Sequence, residues 1–383
     1  MLKTTVGLTA GLILGSLWYI SPIFKPFPEP TGKYAVGTTV MELTDINSKE
    51  IYSENSDENR NLVVRFFYPS LPSSDQKKYP YLGNKMPYYQ KFVASYYQVP
   101  EFIAKLFLRG IGTHSFINAP LAHEQGSYPV VLFSHGLLGL PSDTSLTILE
   151  NLASHGYIIV AIDHSYLNAL TLFADGKVTS SLKLSEQFNK MSQKEQKKFQ
   201  TKAIDVYKAD MKFVIDELAK INEDPASIFY QCINLQQIAA MGHSAGGTAS
   251  IEFCRNDNRC KAAIDLDGWY DQAIGQEPIN KPLLLVFAEK SIEVTEPTPE
   301  YLKRKETTLE QYYEREKNIQ EHKEKLCSIP NCSMIIIPDA THNDFGDEMF
   351  IKWPLKSWNE VEPYKTIELI NNYIVKFLNE NLR

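Results

Sequence analysis

The chain has 383 residues, 43% of them hydrophobic, with 46 acidic against 39 basic side chains and a net charge of -7. This length and composition allow a large buried core in one or two domains. The acidic balance argues against a nucleic acid partner, because binding phosphate groups requires a basic surface.

The N-terminus differs in character from the rest of the chain. The run Val6–Phe24 carries no charged residue and is long enough to cross the hydrocarbon core of a bilayer. It predicts an uncleaved signal anchor or a cleaved signal peptide, and the lack of an Ala-x-Ala-like site favours the anchor. A buried helix of a soluble protein is the third interpretation. We therefore expect an exported protein, with a membrane segment or signal peptide plus linker in residues 1–32 and the catalytic domain in residues 33–383.

Past residue 35, short apolar runs alternate with helical patterns. Continuous runs rich in Val and Ile are typical of strands that are covered on both faces. The predicted strands are GTTVMEL (37–43), LVVRFFYP (62–69), PVVLFS (129–134), YIIVAID (157–163), QIAAMGH (237–243), AAIDLD (262–267), PLLLVF (282–287) and SMIIIP (333–338). Residues 203–221 predict a helix whose buried stripe comprises Ile204, Val206, Met211, Val214, Ile215 and Leu218. This alternation predicts a mostly parallel sheet with helices on both faces.

Three stretches resemble insertions into that frame. Residues 178–202 are polar and rich in Lys, and residues 290–326 predict a solvated, charged helix without a role in chemistry. Residues 86–112 are dense in aromatics, and within them residues 88–109 predict two short amphipathic helices, broken at Pro100 and ended by Gly110. Their aromatic side chains either pack on the sheet or form an exposed face that rests on lipid; the repeating positions include Tyr88, Phe92, Tyr96, Phe102 and Phe107.

Four of the cysteines form two close pairs in the sequence. The pairs Cys254 with Cys260 and Cys327 with Cys332 predict two short disulfides in an exported chain and leave Cys232 free. Reduced thiols and a zinc site are the alternatives, although no CxxC or HExxH motif supports zinc.

A serine stands between a predicted strand and a predicted helix in the run GHSAGG, residues 242–247. Glycines around such a serine are typical of a nucleophile elbow, a turn so tight that its neighbours must be small. Ser244 is therefore the predicted nucleophile, and a helix N-cap serine is the alternative.

An activated serine needs a base, and the base needs a residue that orients it. The order expected along the chain is serine, acid, histidine. Asp267 ends the next predicted strand and is preferred over Asp265, because it lies closer to the loop. His342 follows the last predicted strand, whereas His322 lies in the charged run and is expected to be exposed.

The developing oxyanion needs two N–H donors. One is expected from Ala245, directly after the nucleophile, and the other from Leu137 in the loop SHGLLG, where Gly136 lets the backbone turn inward. An ordinary strand-to-helix turn is the alternative for this loop.

These segments together resemble the plasma-type platelet-activating factor acetylhydrolases, in YPVVLFSHGLLG, ASHGYIIVAIDH, GHSAGG, CKAAIDLDGW and the loop of His342. The resemblance extends over roughly residues 33–380. It implies an α/β-hydrolase that cleaves esters without a metal, including the sn-2 ester of phospholipids with short or oxidised acyl chains. It also implies a triad of Ser244, Asp267 and His342 with oxyanion donors at Leu137 and Ala245. The chain departs from the family at Ala245, where Phe is common, and in the insertions.

The sequence therefore predicts one domain of the α/β-hydrolase fold, with a mostly parallel central sheet, helices on both faces and helical insertions. The predicted function is a serine esterase that needs no cofactor or metal. A lipid or small ester is the expected substrate, and a membrane surface is a further expected contact. A carboxylesterase, lipase or polyester hydrolase of the same fold is the closest alternative, and a non-catalytic lipid-binding protein is the alternative from another class.

Overall fold

A computed structural model describes residues 27–96, 99–108, 111–124, 126–268, 279–304, 307–352 and 361–383. The predicted membrane segment Val6–Phe24 lies outside these ranges. Within them, no helix has both the length and the apolar character needed to cross a membrane. Whether residues 1–32 form an anchor or a cleaved signal stays a prediction.

The described residues form a nine-stranded sheet in the order β11-β10-β9-β8-β4-β5-β2-β1-β3, and β6 and β7 form a small antiparallel pair. The neighbours from β11 to β5 are parallel, while β2 runs antiparallel to both β5 and β1. The strands are β1 (Ala35–Lys49), β2 (Asn59–Ser70), β3 (Ser115–Ile117), β4 (Tyr128–Ser134), β5 (Ile158–Asp163), β6 (Thr171–Leu172), β7 (Val178–Thr179), β8 (Ile233–His243), β9 (Cys260–Leu266), β10 (Leu283–Ala288) and β11 (Cys332–Ile337).

Every strand predicted from the sequence is present. Continuous apolar runs are typical of strands that helices cover on both faces of the sheet. All residues of β4, β5 and β10 are buried. The strands that the sequence analysis missed are β3, β6 and β7, which have two or three residues each and therefore show no apolar run. The prediction of a mostly parallel sheet is confirmed, and its antiparallel part is confined to the β2 edge.

Helices cover both faces of the sheet. Packed on one face are α5 and α6, and packed on the other are α3, α11 and parts of α1 and α2. The helices are α1 (Met86–Tyr96), α2 (Glu101–Leu108), α3 (Leu146–Ser154), α4 (Leu182–Lys190), α5 (Gln193–Glu223), α6 (Ala245–Asn256), α7 (Glu289–Ile292), α8 (Pro299–Arg304), α9 (Leu309–Leu326), α10 (Glu348–Lys352) and α11 (Pro363–Asn381).

The long helix α5 contains the predicted stripe but buries more than was predicted. Val206 is only partly buried, whereas the other five predicted positions are buried. Tyr207 and Asp210, which the prediction left out, are also buried on this face. The N-terminus of α5 begins with a capping box between Ser192 and Glu195, which satisfies backbone N–H groups that no helical turn can reach.

The predicted insertions are helical. Residues 178–202 contain β7, α4 and the first turns of α5, and the charged stretch 290–326 contains most of α7, then α8 and α9, rather than one helix. The helices α1 and α2 flank Pro100 as expected. Tyr88 and Phe102 are exposed, whereas Phe92 is only partly buried. The remaining two aromatics of this predicted face, Tyr96 and Phe107, have side chains outside the described set.

The first described residues pack onto the domain. Phe27 is buried, with its ring centroid 5.3 Å from that of Tyr81, and its carbonyl lies 3.0 Å from Nε2 of His114. Thr31 donates hydrogen bonds to Oδ1 of Asn151 in α3. The end of the N-terminal segment therefore enters the domain next to the residues that lead into α1.

Both predicted disulfides are present, and Cys232 is free and buried. The bond Cys254–Cys260 joins the end of α6 to the start of β9, with Cα atoms 5.0 Å apart. The bond Cys327–Cys332 joins the end of α9 to β11, with Cα atoms 5.1 Å apart. The second bond therefore fixes the end of the inserted helix α9 to the sheet.

Candidate active site

Ser244 lies in the sharp turn between β8 and α6, with a positive φ of 56°. A Cβ atom on Gly246 would overlap the carbonyl oxygen of Ser134, and one on Gly242 would overlap the backbone of Gly246. The glycines are therefore required by close backbone approach, and the strained turn holds the serine hydroxyl at the carboxyl end of the sheet.

The structure brings the three residues predicted as a triad into one hydrogen-bonded chain. Nδ1 of His342 lies 2.6 Å from Oδ2 of Asp267, and Nε2 of His342 lies 3.0 Å from Oγ of Ser244. The carboxylate fixes the imidazole so that Nδ1 carries the proton and Nε2 faces the hydroxyl. A base in this tautomer can accept the hydroxyl proton.

Asp267 accepts hydrogen bonds from two groups in addition to His342. Its Oδ1 accepts a hydrogen bond from the backbone N–H of Ala288, and its Oδ2 also accepts one from Oγ of Ser291 at 2.6 Å. Burial opposes ionisation of this carboxylate, but the hydrogen bonds from His342, Ser291 and Ala288 outweigh it and hold its pKa below the ordinary value. The carboxylate therefore stays ionised, as an orienting acid must.

The rival acid occupies a different environment. Asp265 is fully buried, and its carboxylate packs where a Cβ atom on Gly247 or Gly268 would stand. Two residues on the same strand can share a face, but only Asp267, at the strand end, contacts His342. The preference for Asp267 over Asp265 thus agrees with the geometry.

Of the three residues in the predicted triad, His342 is the most accessible, with 47% of its side chain exposed. The ring of His243 lies beside it at a centroid distance of 4.7 Å, and Nε2 of His243 lies 2.8 Å from the carbonyl oxygen of His342. Burial and the neighbouring His342 lower the pKa of His243 to about 4. His243 is therefore neutral near pH 7 and donates to the His342 carbonyl, which fixes the backbone of the histidine loop.

The two predicted oxyanion donors lie on segments that meet at Ser244. Ala245 is the first residue of α6, and Leu137 follows Gly136 in the loop after β4. A Cβ atom on Gly136 would lie only 3.4 Å from Cβ of Ser244, so this loop passes directly over the serine. Within the described residues, neither Leu137 N–H nor Ala245 N–H donates a hydrogen bond. Both donors are thus available to a ligand.

A buried polar network supports the loop that carries Leu137. Nε2 of His135 accepts a hydrogen bond from the backbone N–H of His164 at 3.1 Å, so Nδ1 carries the proton and donates to the carbonyl of Gly136 at 2.8 Å. The hydroxyl of Tyr207 lies 3.2 Å from the same Nδ1. Burial lowers the pKa of His135 to about 3, so the ring remains neutral in this role. The loop is therefore tied to the interior directly before the Leu137 donor.

The network continues away from the loop to a buried arginine. His164 contacts Oδ2 of Asp210 through Nδ1 at 2.7 Å and Oγ of Ser134 through Nε2 at 3.0 Å. Arg60 donates to both oxygens of Asp210, at 3.0 and 2.6 Å, and also pairs with Glu50. Asp210, Arg60 and Glu50 are all buried, and the guanidinium of Arg60 has two carboxylate partners inside the protein.

The loop of His342 is joined to helix α3 by a second buried carboxylate. Asp347 accepts hydrogen bonds from the backbone N–H groups of Leu146 and Thr147 and from Oγ1 of Thr147. Burial raises the pKa of Asp347 to about 7 although these donors favour its ionised form. The carboxylate closes the N-terminus of α3, where unpaired N–H groups attract negative charge.

A cleft of about 790 Å³ opens on the Asp267 side of His342. Its walls come from the first turns of α5, from α7 and from one face of α9, and most of the side chains that line it are polar. His322 and Lys323 belong to this lining together with Asp267 and His342. The prediction that His322 is exposed was therefore wrong: it is partly buried in the cleft, because α9 packs over the end of the sheet.

Several residues of this site were missed in the sequence analysis. Ser291 and Lys323 fall in the charged insertion, which was interpreted as surface. His135 and His164 stand within motifs that the resemblance used, but no role was assigned to them. Asp210 lies four residues before Val214 on the predicted stripe, so helical spacing would have placed it on the buried face.

Among the described residues, no three His, Cys, Asp or Glu side chains are grouped so that they could hold a metal ion. That the reaction needs no metal or cofactor stays a prediction.

Three relatives give the comparison with known proteins. The platelet-activating factor acetylhydrolase of Gallus gallus is 24% identical over 390 aligned residues, which cover 93% of this chain and 83% of the relative. A probable 1-alkyl-2-acetylglycerophosphocholine esterase of Arthroderma benhamiae is 25% identical over 261 aligned residues, which cover 64% of this chain and 59% of the relative. The solved structure of a ferulic acid esterase from Streptomyces cinnamoneus shares the fold, with a TM-score of 0.67, 24% identity and 94% coverage of both chains.

The fold is thus that of the α/β-hydrolases, as the sequence predicted. The profile of the family described as platelet-activating factor acetylhydrolase, isoform II, matches residues 21–383, which is nearly the whole chain. The chain therefore belongs to this family of ester-hydrolysing enzymes.

Proposed function

We propose that the protein is a serine esterase that cleaves the sn-2 ester of phospholipids with short or oxidised acyl chains. The observation that carries the proposal is the continuous chain of hydrogen bonds from Ser244 through His342 to Asp267 in a member of this family. The names of its relatives, acetylhydrolase and 1-alkyl-2-acetylglycerophosphocholine esterase, support this substrate class.

In the proposed reaction, Nε2 of His342 takes the hydroxyl proton of Ser244 while Oγ attacks the ester carbonyl. Leu137 N–H and Ala245 N–H donate to the oxyanion of the tetrahedral intermediate. His342 then gives its proton to the leaving alcohol as the carbon–oxygen bond breaks, which leaves an acyl-serine. Water, deprotonated by His342, attacks the acyl-serine; the bond from the acyl carbon to Oγ breaks, His342 returns the proton to Oγ of Ser244, and the carboxylic acid leaves.

Partners and location belong to the same proposal. We infer that the protein is exported, which agrees with two disulfides, a type of bond that persists mainly in oxidising compartments. The exposed rings of Tyr88 and Phe102 lie on α1 and α2, two helices whose buried residues share a core cluster with Phe27. This arrangement supports a membrane contact through the two helices.

The test begins with covalent labelling by a fluorophosphonate probe, followed by peptide mapping. We expect one labelled serine, Ser244, and no labelling after Ser244→Ala. A substrate panel then compares a 2-acetyl phospholipid, a long-chain phospholipid, a triacylglycerol and p-nitrophenyl acetate. A preference for the 2-acetyl phospholipid supports the proposal. A preference for the triacylglycerol, or equal rates on all four, assigns the protein instead to the lipases or general carboxylesterases of the fold.

A further inference from the structure

Lys323 is a buried cation in a position that the proposed reaction does not use. It lies on α9, with 7% of its surface exposed, and its Nζ stands 4.3 Å from the ring centroid of Phe287 in β10. Across the described ranges, no carboxylate or other acceptor forms an ion pair or hydrogen bond with this ammonium group. Its aromatic contact supplies attraction without a hydrogen bond, and the three N–H donors of the group remain available.

Two of the carboxylates whose fields act on Lys323, Asp267 and Glu316, are engaged with other groups. Asp267, whose field acts on Lys323, gives its oxygens to His342, Ser291 and Ala288. Arg315, another cation of the cleft lining, pairs with Glu316. A charge buried without a partner is unfavourable, so a protein keeps one mainly where a ligand completes the pairing. Lys323 lines the cleft, so an anionic ligand bound there would supply the partner that the described residues do not provide.

The cleft also indicates which part of a substrate reaches Lys323. Asp267 and His342 belong to its lining, whereas Ser244 and the oxyanion loop do not. His342 must deliver its proton to the oxygen of the leaving alcohol, so that oxygen has to lie within hydrogen-bonding distance of Nε2. The alcohol part of the ester therefore lies beside His342, and it is the part that can extend around the imidazole ring toward the cleft.

The chemistry of the walls limits what this part of the substrate is. Most of the lining residues have amide or charged side chains, Ser291 supplies one hydroxyl, and the apolar side chains are those of Ile292, Val294 and Ile319. An alkyl chain would desolvate these polar groups without replacing their hydrogen bonds. A phosphate group would accept hydrogen bonds and meet the ammonium of Lys323, which acts as a point charge toward phosphate.

We propose that Lys323 and the cleft between α5 and α9 form an anion subsite, which binds a phosphate carried on the alcohol side of the ester substrate. This inference rests on the proposed function, because it takes His342 as the group that protonates the leaving alcohol. It makes Lys323 a residue that determines specificity, in a segment that the sequence analysis predicts to be an insertion.

The test compares kcat/KM for two acetyl esters of the same glycerol ether, one with a phosphate on the alcohol and one with a free hydroxyl. The selectivity is the ratio of the two values. We expect Lys323→Met to lower this ratio about ten- to hundredfold, the range of a charge-assisted hydrogen bond, and Lys323→Arg to retain much of it. Lys325→Met is the matched control, because Lys325 is an exposed residue of the same helix end, and its ratio should equal that of the unaltered protein.

A third ester separates the alcohol side from the acyl side. It carries a neutral alcohol and a dicarboxylic acid with one free carboxylate. If Lys323→Met lowers selectivity for this ester and leaves the phosphate ratio intact, the subsite serves the acyl group and the proposal is overturned. A loss of equal size on all esters would also overturn it, because Lys323 would then act only through the field at Asp267.

Inorganic phosphate gives a second measurement that does not depend on the variant folding well. It should competitively inhibit hydrolysis of the neutral acetyl ester by the unaltered protein, and Lys323→Arg should retain that inhibition. Lack of any inhibition up to the solubility of phosphate would contradict the subsite. The proposed function fails separately, if the unaltered protein cleaves neither acetyl ester or if Ser244→Ala cleaves the phosphate-bearing ester equally well.

Discussion

On one side of Ser244 stands the loop that carries Leu137, and on the other stand His342 and the cleft beneath α9. The first side rests on buried, fully paired groups, from His135 to Arg60. The second side is accessible, since 47% of the His342 side chain is exposed and a cleft of about 790 Å³ opens beside it. Most of the side chains that line this cleft are polar. A rigid donor loop suits an oxyanion whose position is the same for every ester. An open wall suits the part of the substrate that varies.

The largest expected effect comes from substituting the predicted triad, which lies between the two sides. Ser244→Ala or His342→Ala should reduce kcat about 10⁶-fold, and Asp267→Asn should reduce it about 10⁴-fold, because the amide would favour the wrong tautomer of His342. Hydrolysis of p-nitrophenyl acetate measures the loss, and circular dichroism checks that the fold is retained. Turnover of Ser244→Ala near that of the unaltered protein would refute the proposed mechanism.

The placement of Ser244, Asp267 and His342 is also the part of the site that the sequence could indicate. Each residue follows a strand at the same edge of the sheet, and short apolar strands are visible in the sequence. The His135 network was not predictable in the same way, because it requires β2, β5 and α5 to meet. The three groups are far apart in the chain: Arg60, His164 and Asp210.

The accessible side was harder still to predict. A charged helix such as α9 has too few apolar residues to show which face is covered, so Lys323 resembled its solvated neighbours. Its burial depends on Phe287, which belongs to a different element. The same limit explains the error at His322.

The second prediction concerns the contribution of the buried network around Arg60 to the free energy of unfolding. Asp210→Ala removes the carboxylate that accepts hydrogen bonds from Arg60 and His164 and should lower the free energy of unfolding by about 3–5 kcal/mol, because the buried N–H donors of both residues are left without an acceptor. Urea unfolding measures the change. Lys317→Ala on α9 is the control: its ion pair with Glu321 is exposed, and its loss should cost about 0.5 kcal/mol or less. Equal losses in the two variants would remove the contrast between the two sides.

The third prediction concerns Asp347, which joins the loop of His342 to α3. Burial raises the pKa of this carboxyl to about 7, whereas in the unfolded chain it titrates near its ordinary value. Between these two pKa values the folded protein therefore holds more protons at this site, and the contribution of Asp347 to stability falls as the pH rises from about 5 to 8.

The buried histidines oppose this trend, since burial lowers the pKa values of His135 and His164. The measurement is therefore a difference, the unfolding free energy of Asp347→Asn minus that of the unaltered protein at each pH. Whatever its offset, this difference should shift in favour of the variant by about 1.4 kcal/mol or more between pH 5 and pH 8, the value of one pKa unit. A difference independent of pH would show that Asp347 is ionised throughout.

The smallest effect on stability is expected at the outer surface, on α2. Phe102 is 70% exposed, so Phe102→Ser should change the free energy of unfolding by about 0.5 kcal/mol or less. If this ring rests on lipid, its loss should reduce hydrolysis of vesicle-bound phospholipid about tenfold, in keeping with the free energy of burying one aromatic side chain. Hydrolysis of soluble p-nitrophenyl acetate should not change. Ile46→Ser supplies the control, because Ile46 is 74% exposed but belongs to a different element, strand β1. A variant of Phe102 that is as active on vesicles as the control would exclude the membrane contact on α2 and confine substrate selection to the cleft.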